Sequence, residues 1–240
     1  MGVGQLVQME ELYTRIRATA SACWLWLAFD PVTKASPSLH LGGRTKNDAF
    51  ALVHDFQLRL LPECIPAATT EGLRSYFYAL TAHFGFWFRP PNARTDHWQP
   101  SSDLHYGQLV KRKNKRHITF THTRMLWGKR HELFARLREA GLRPLIQTAF
   151  VERVNLTFRQ SVASLSRRTW AYAQTERHLL LYCEWFRLYY HLIRAHESLA
   201  LEVPGLKQRC RSRSPAMALH LTDPLWFVHD LLHYPVPQVV

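Results

Sequence analysis

The sequence predicts an α/β protein, a mixed sheet with helices on its faces, and three observations carry that prediction. The stretch "ACWLWLAFD" (Ala22–Asp30) is a near-continuous apolar run, the pattern of a central strand covered on both faces. Ala49, Leu52, Val53, Phe56 and Leu60 recur at helical spacing. Along the chain the elements read three strands, helix, strand, helix, strand, then helices, an order that packs most naturally as a sheet carrying helices. With 240 residues and 47% hydrophobic content, the chain has enough apolar material for a sizeable core, in one large domain or two small ones.

Taken in order, Gln5–Tyr13 and Ala22–Asp30 read as the first two strands, Pro31-Val32-Thr33-Lys34 as a turn, and Ala35–Leu41 as a third strand ended by Gly42-Gly43. Thr45 is placed to cap a helix running to Leu61, and Pro62 and Pro66 punctuate its exit. Ala67–Thr70 is a short strand, followed by a helix from about Leu73. Phe86–Ser102, rich in Pro, Asn and Trp, reads as a connecting loop. The run "KRKNKR" (Lys111–Arg116) comes next, and "HITFTHT" (His117–Thr123) is strand-like. Helices are expected over Lys129–Ala140, ended by Gly141, over Phe150–Leu165 and over Thr175–Leu199. The last forty residues are Pro-punctuated and partly basic, and no internal repeat is evident.

A net charge of +13 points to a polyanionic partner, most simply nucleic acid. A membrane is not expected, because the longest apolar stretch, Leu179–Ile193, is interrupted by Glu184, Arg187 and His191. The N-terminus lacks the basic, apolar and small-residue order of a secretion signal. Cys23, Cys64, Cys183 and Cys210 are scattered without a CxxC pair, so neither a zinc ribbon nor a disulfide framework is expected. Walker loops, Gly-rich dinucleotide turns, HExxH patterns and nucleophilic Ser or Cys motifs do not occur.

Three acids stand out. Glu10 lies in the first strand within "VQMEELY", Glu71 at the end of the fourth, and Glu152 in the helical "TAFVERVNLTFRQ". Strands one and four can be neighbours in a mixed sheet, so their acids can converge, with Glu152 approaching from a helix end. Clustered carboxylates suit hard divalent cations, and two such ions can activate an attacking oxygen and stabilise a leaving one at phosphorus. A lone exposed Glu is ordinarily a solvated surface charge, and spacing alone does not separate the two.

At these residues the chain resembles the insertion-sequence DDE transposases of the ribonuclease H-like integrase group. "QMEELY" resembles that family's first strand motif, and "TTEGLRSYFYALTAHFG" its Thr-Asp-Gly segment and the aromatic helix after it. "TAFVERVNLTFRQ" resembles its Glu-Arg-x-Asn-x-x-x-Arg helix, with Gln147 where Asn is common. "WFRLYYHLIRAHESL" resembles its closing helix, with Ala195 where Pro is usual. The resemblance runs from about Gln5 to the C-terminus.

It implies a ribonuclease H-like catalytic domain over 1–170 and a C-terminal helical extension over 171–240 packed on it. It also implies Glu10, Glu71 and Glu152 as catalytic, metal-holding residues for two Mg²⁺ or Mn²⁺ ions, with Glu11 the family's ordinary Glu after the first acid. The triad therefore reads Glu, Glu, Glu where the family has Asp, Asp, Glu. The family's N-terminal DNA-binding module is expected to be lacking. The implied activity is metal-dependent cleavage at a transposon end followed by strand transfer into target DNA, by a homo-oligomer on DNA in a prokaryotic cytoplasm. The alternative is a catalytically inactive, transposase-derived DNA-binding protein, because each Glu that replaces an Asp carries an extra methylene.

Arg153, Asn155 and Arg159 share the helix of Glu152 and read either as DNA-backbone contacts or as a solvated basic face. Lys111, Arg112 and Lys113 read as phosphate contacts or as the solvated edge of a hairpin. His83 is expected to be a structural helix-end histidine rather than a metal neighbour. Trp24, Trp26, Phe29, Trp185, Phe186, Tyr189 and Tyr190 are expected in the core rather than as base-stacking rings.

Overall fold

A computed structural model of the chain describes residues 5–17, 22–114, 117–202 and 210–235. It is an α/β structure built on a six-stranded mixed sheet. Strands β1 (Leu6–Arg15), β2 (Ala22–Phe29) and β3 (Ser38–Gly42) form an antiparallel meander. Helix α1 (Lys46–Gln57) crosses to β4 (Ala67–Glu71), which pairs parallel to β1, and α2 (Ser75–His83) follows. Strand β7 (His105–Asn114) pairs parallel to β4 and β8 (His117–Trp127) antiparallel to β7, giving the order β3-β2-β1-β4-β7-β8. Helices α3 (Arg130–Glu139), α4 (Ala149–Ser161) and α5 (Glu176–Leu192) complete the layers.

Strand alternation sorts the side chains onto two faces. Val7, Met9, Trp26, Ala28, Ala68 and Tyr106 pack against Ala49, Leu52, Val53 and Phe56 of α1 and Tyr76, Ala79 and Leu80 of α2. On the other face Leu12, Leu25, Leu27 and Phe29 meet Val151, Val154 and Phe158 of α4 and Leu179, Cys183, Phe186 and Tyr190 of α5. Leu6 and Ala67 meet Leu133 and Leu137 of α3. Helix α1 starts as its sequence dictates: the Thr45 hydroxyl accepts from the Asp48 amide, and the Asp48 carboxylate accepts from the Thr45 amide. It stops at Gln57, short of the expected Leu61, where Arg59 and Leu60 donate to carbonyls three residues back and tighten the chain into a turn ahead of Pro62.

The structure corrects the sequence reading elsewhere as well. The expected loop Phe86–Ser102 contains a two-stranded ribbon, β5 (Gly85–Phe88) with β6 (His97–Pro100), in which Trp87 faces Trp98 with ring centroids 5.4 Å apart. The Trp98 indole donates to the Thr81 carbonyl and ties the ribbon to α2; such cross-strand aromatic pairs outweigh the loop-forming residues around them. The strand that carries the start of the basic run, β7, was not anticipated, because Gly107 and Gln108 break its apolar alternation. Gly107 is small for a reason: a Cβ there would stand 2.9 Å from the Ile146 side chain. The last long helix ends at Leu192, not Leu199, and His196–Glu202 (β9) pairs with Cys210–Arg213 (β10). Among the described residues beyond 171 lie α5, this ribbon and two short helices, α6 (Pro215–Ala218) and α7 (Val228–Leu232), so the expected helical extension also carries a strand pair. Among the described residues, no helix is long and apolar enough to cross a membrane.

Candidate metal centre

Register brings two of the three acids together. Strands β1 and β4 run parallel with Gln8 opposite Thr69 and Met9 opposite Thr70, so the next step sets Glu10 beside Glu71 on the face that α4 covers. Gln8 and Thr69 point to that same face two residues earlier and fix the start of α4. The Gln8 amide donates to the Gln147 carbonyl at 2.9 Å and accepts from the Val151 amide at 3.1 Å, and the Thr69 hydroxyl donates to the Gln147 carbonyl at 3.1 Å. The first turn of α4 is thereby fastened over the sheet, and Glu152 projects from it toward the strand ends. One carboxylate oxygen from each of Glu10, Glu71 and Glu152 lies within 4.8 Å of the other two.

Three neighbours serve this cluster. The Lys111 ammonium, from β7, donates to Glu71 and, at 2.6 Å, to Glu152. The Thr148 hydroxyl donates to Glu152 at 2.6 Å, and the Asn155 amide donates to Glu10 at 2.8 Å. Glu10 is pushed up to about 8, first by burial and then by the charges of Glu71 and Glu152, against which Lys111 acts only in part. Burial alone would lower the Lys111 ammonium, but its bonds to Glu152 and Glu71 and their charge hold it above its ordinary range. On the opposite face Glu11 is a structural acid, ion-paired to Arg44 at 2.6 Å and accepting from the Tyr76 hydroxyl at 3.3 Å.

The residues present fit a hard divalent cation. All three converging groups offer carboxylate oxygens, the donors such ions take, and burial together with the charges of Glu71 and Glu152 raises Glu10 in a way that a cation at the cluster would relieve. The Asn155 amide oxygen, in a residue 7% exposed, is buried without a hydrogen-bond partner beside Glu10. It stands ready to accept from a water held by the carboxylates. Because the Lys111 ammonium occupies two of the three carboxylates, it competes with a cation for their charge. Lys111→Met is expected to tighten Mn²⁺ binding roughly tenfold by isothermal titration calorimetry. Equal or weaker binding by the variant would show that Lys111 does not compete.

The other residues singled out by sequence are dispersed around this centre. Asn155 joins it through Glu10. Arg159 turns to backbone, donating to the Tyr13 and Leu165 carbonyls at 3.1 and 3.4 Å, and Arg153 is exposed on α4. Of the basic run, Lys111 points into the cluster and Arg112 to solvent, as strand alternation requires. The Lys113 side chain, Lys115 and Arg116 lie outside the described residues. His83 packs on α1, its ring against Phe50 and His54 and its Nδ1 on the Ala79 carbonyl. Gln8, Thr69, Thr148 and the inward role of Lys111 were missed by sequence reasoning; the i, i+2 relation of Gln8 to Glu10 and of Thr69 to Glu71 was the available signal. Compared with family models, curated proteins and solved structures, the chain has no significant match to any.

Proposed function

We propose that this protein is a metal-dependent DNA strand-transfer enzyme of the DDE transposase type, built on a ribonuclease H-like domain. The observation that carries the proposal is the convergence of Glu10, Glu71 and Glu152 from two parallel strands and a helix. The sheet order β3-β2-β1-β4-β7-β8 is compatible with that fold, and the net charge of +13 suits a DNA partner. Glu10, Glu71 and Glu152 would hold two Mg²⁺ or Mn²⁺ ions, which supply Lewis-acid stabilisation of the attacking and leaving oxygens at phosphorus.

The chain's own residues do the positioning. Gln8 and Thr69 hold α4 in place, Thr148 orients the Glu152 carboxylate, and Asn155 orients that of Glu10. No side chain is asked to form a covalent link to DNA: water, then a DNA 3′-hydroxyl, is the nucleophile. Transposon ends and target DNA are the partners, and a homo-oligomer would pair two ends.

One observation favours a second reading, a DNA-binding protein that keeps the fold without cleaving. Lys111 already pairs with both Glu71 and Glu152 and offsets one of their two charges, and the added methylene of Glu over Asp shifts a ligand oxygen by roughly an ångström, beyond the about half-ångström tolerance of a catalytic site. Incubating the protein with DNA carrying its element's ends, with Mg²⁺ or Mn²⁺, separates the readings. Metal-dependent nicking supports the enzyme. Nicking seen only after Glu10→Asp/Glu71→Asp supports the inactive reading. Nicking that persists in a chelator overturns the metal centre.

A further inference from the structure

Helix α5 has the sequence ERHLLLYCEWFRLYYHL, with apolar or aromatic side chains around most of its circumference. A helix packed on a sheet buries one stripe, and here the buried stripe is Leu179, Cys183, Phe186 and Tyr190. Tyr182, Trp185 and Tyr189 are left 56%, 47% and 37% exposed. The segment leading into the helix adds Trp170, 99% exposed. A hollow of ≈ 580 Å³ lies between this segment and the helix, and a second of ≈ 590 Å³ lies between the segment and Arg17; the two share Tyr172 and Gln174. Each is within the roughly 300–1,000 Å³ of sites that take small-molecule-sized groups.

The charge of the lining selects the occupant. Arg17, Arg168 and His178 line the hollows, and among the described residues no Asp or Glu does. Arg17 is fixed in place, its backbone amide donating to the Ala173 carbonyl at 3.0 Å and its Nε to the Gln174 carbonyl at 3.1 Å. Ring faces interleaved with guanidinium groups, without a carboxylate, complement unpaired bases and their phosphates; a purely apolar partner would gain nothing from the arginines. The groove is also tied to the acidic cluster. Arg159 shares a helix with Glu152 and Asn155 and donates to the Leu165 carbonyl, at the start of the segment that carries Arg168 and Trp170.

We propose that this groove binds single-stranded DNA, with bases stacked on Trp170, Tyr182 and Trp185 and phosphates paired with Arg17 and Arg168. The inference rests on the reading of the protein as one that acts on DNA, and it adds a place where strands opened near the acidic cluster are held.

Fluorescence anisotropy with labelled oligothymidylate, and with a duplex of the same length, tests it on the full chain without metal. Trp170→Ala and Trp185→Ala are each expected to weaken oligothymidylate binding about tenfold at fixed salt and to leave duplex binding unchanged. Trp185→Phe, which keeps a ring, is expected to restore most of the loss. Arg168→Ala should lower the salt dependence of single-strand binding by about one unit of slope. The proposal is overturned if the wild type does not bind the oligonucleotide, if the double Trp variant binds it as tightly, or if both substrates weaken equally. It is also overturned if the protein is a dimer that Trp185→Ala dissociates, which would assign the groove to a second copy. Stacking without metal-dependent cleavage keeps this inference and sinks the enzyme; cleavage with unchanged oligothymidylate binding does the reverse.

Discussion

Glu152→Gln is expected to lower metal-dependent DNA cleavage by roughly 10³-fold or more while leaving the protein as stable as the wild type or more so. The activity loss follows from removing one of three anionic oxygens in a group that acts as a unit, where deleting a single member costs about as much as deleting several. The stability outcome follows from the same crowding. Three carboxylates converge within 4.8 Å, and Glu152 is one of the charges that raise Glu10. An isosteric amide removes that repulsion and still offers an oxygen to the Thr148 hydroxyl that donates to Glu152 at 2.6 Å. A catalytic group retained at a cost in stability shows this signature, whereas a salt-bridged structural acid, losing its Lys111 contact at 2.6 Å, would show the opposite. Cleavage rate and urea unfolding, measured on the same preparation, separate the two. Unchanged cleavage in Glu152→Gln would remove Glu152 from the chemistry.

How much of this was legible in the sequence follows from what fixes each residue. Glu10 and Glu71 were locatable because strands announce themselves: "ACWLWLAFD" marks the meander, and the small, β-branched Ala67–Thr70 ends where the chain must turn toward α2. Glu152 was locatable because its helix carries a long apolar stripe, Val151, Val154 and Phe158. Lys111 was not. A run of cations reads as a solvated surface until its strand's register is known, and only the pairing of Glu71 with Leu109 shows that a residue two positions on shares the face of the acids. Gln8 escaped for a related reason: its place two residues before Glu10 puts it on the face of the acids, but its value lies in Gln147 and Val151, far away in sequence.

The aromatic residues divided in the same way. Trp26 and Phe29 are buried in the sheet and Phe186 and Tyr190 on the inner face of α5, as their apolar context implied, whereas Trp185 and Tyr189 share α5 but face outward. Helical periodicity gives the direction of a stripe, but a helix that is apolar nearly all round hides which stripe the sheet takes.

With divalent cations removed by chelator, the wild type is expected to lose about 2 kcal/mol of stability relative to Glu10→Gln between pH 6.5 and 8. The Glu10 carboxyl is pushed up to about 8 by burial and by Glu71 and Glu152, so across this window the unfolded chain has released a proton that the folded protein still holds. Stability from a raised carboxyl is full below the unfolded value and is lost as pH rises through the folded one, so the sign is a decline. The window matters because buried histidines act the other way. His191 and His196 are held down to about 3 and about 4, chiefly by burial; in the unfolded chain such imidazoles still release protons as pH rises from 6.5, which adds stability across the window in the wild type and in Glu10→Gln alike. The buried thiols Cys23 and Cys183 are pushed up to about 11 and about 12, beyond the window. The difference between the wild type and Glu10→Gln in urea unfolding at pH 6.5, 7.25 and 8 therefore reads Glu10, and parallel profiles for the two proteins would sink the assignment of a crowded acidic centre. Adding Mn²⁺ supplies the positive charge that Lys111 gives only in part, so it should abolish the decline in the wild type and change Glu10→Gln much less. The difference between the two proteins, with and without the ion, measures how far these carboxylates were assembled for a cation rather than for one another.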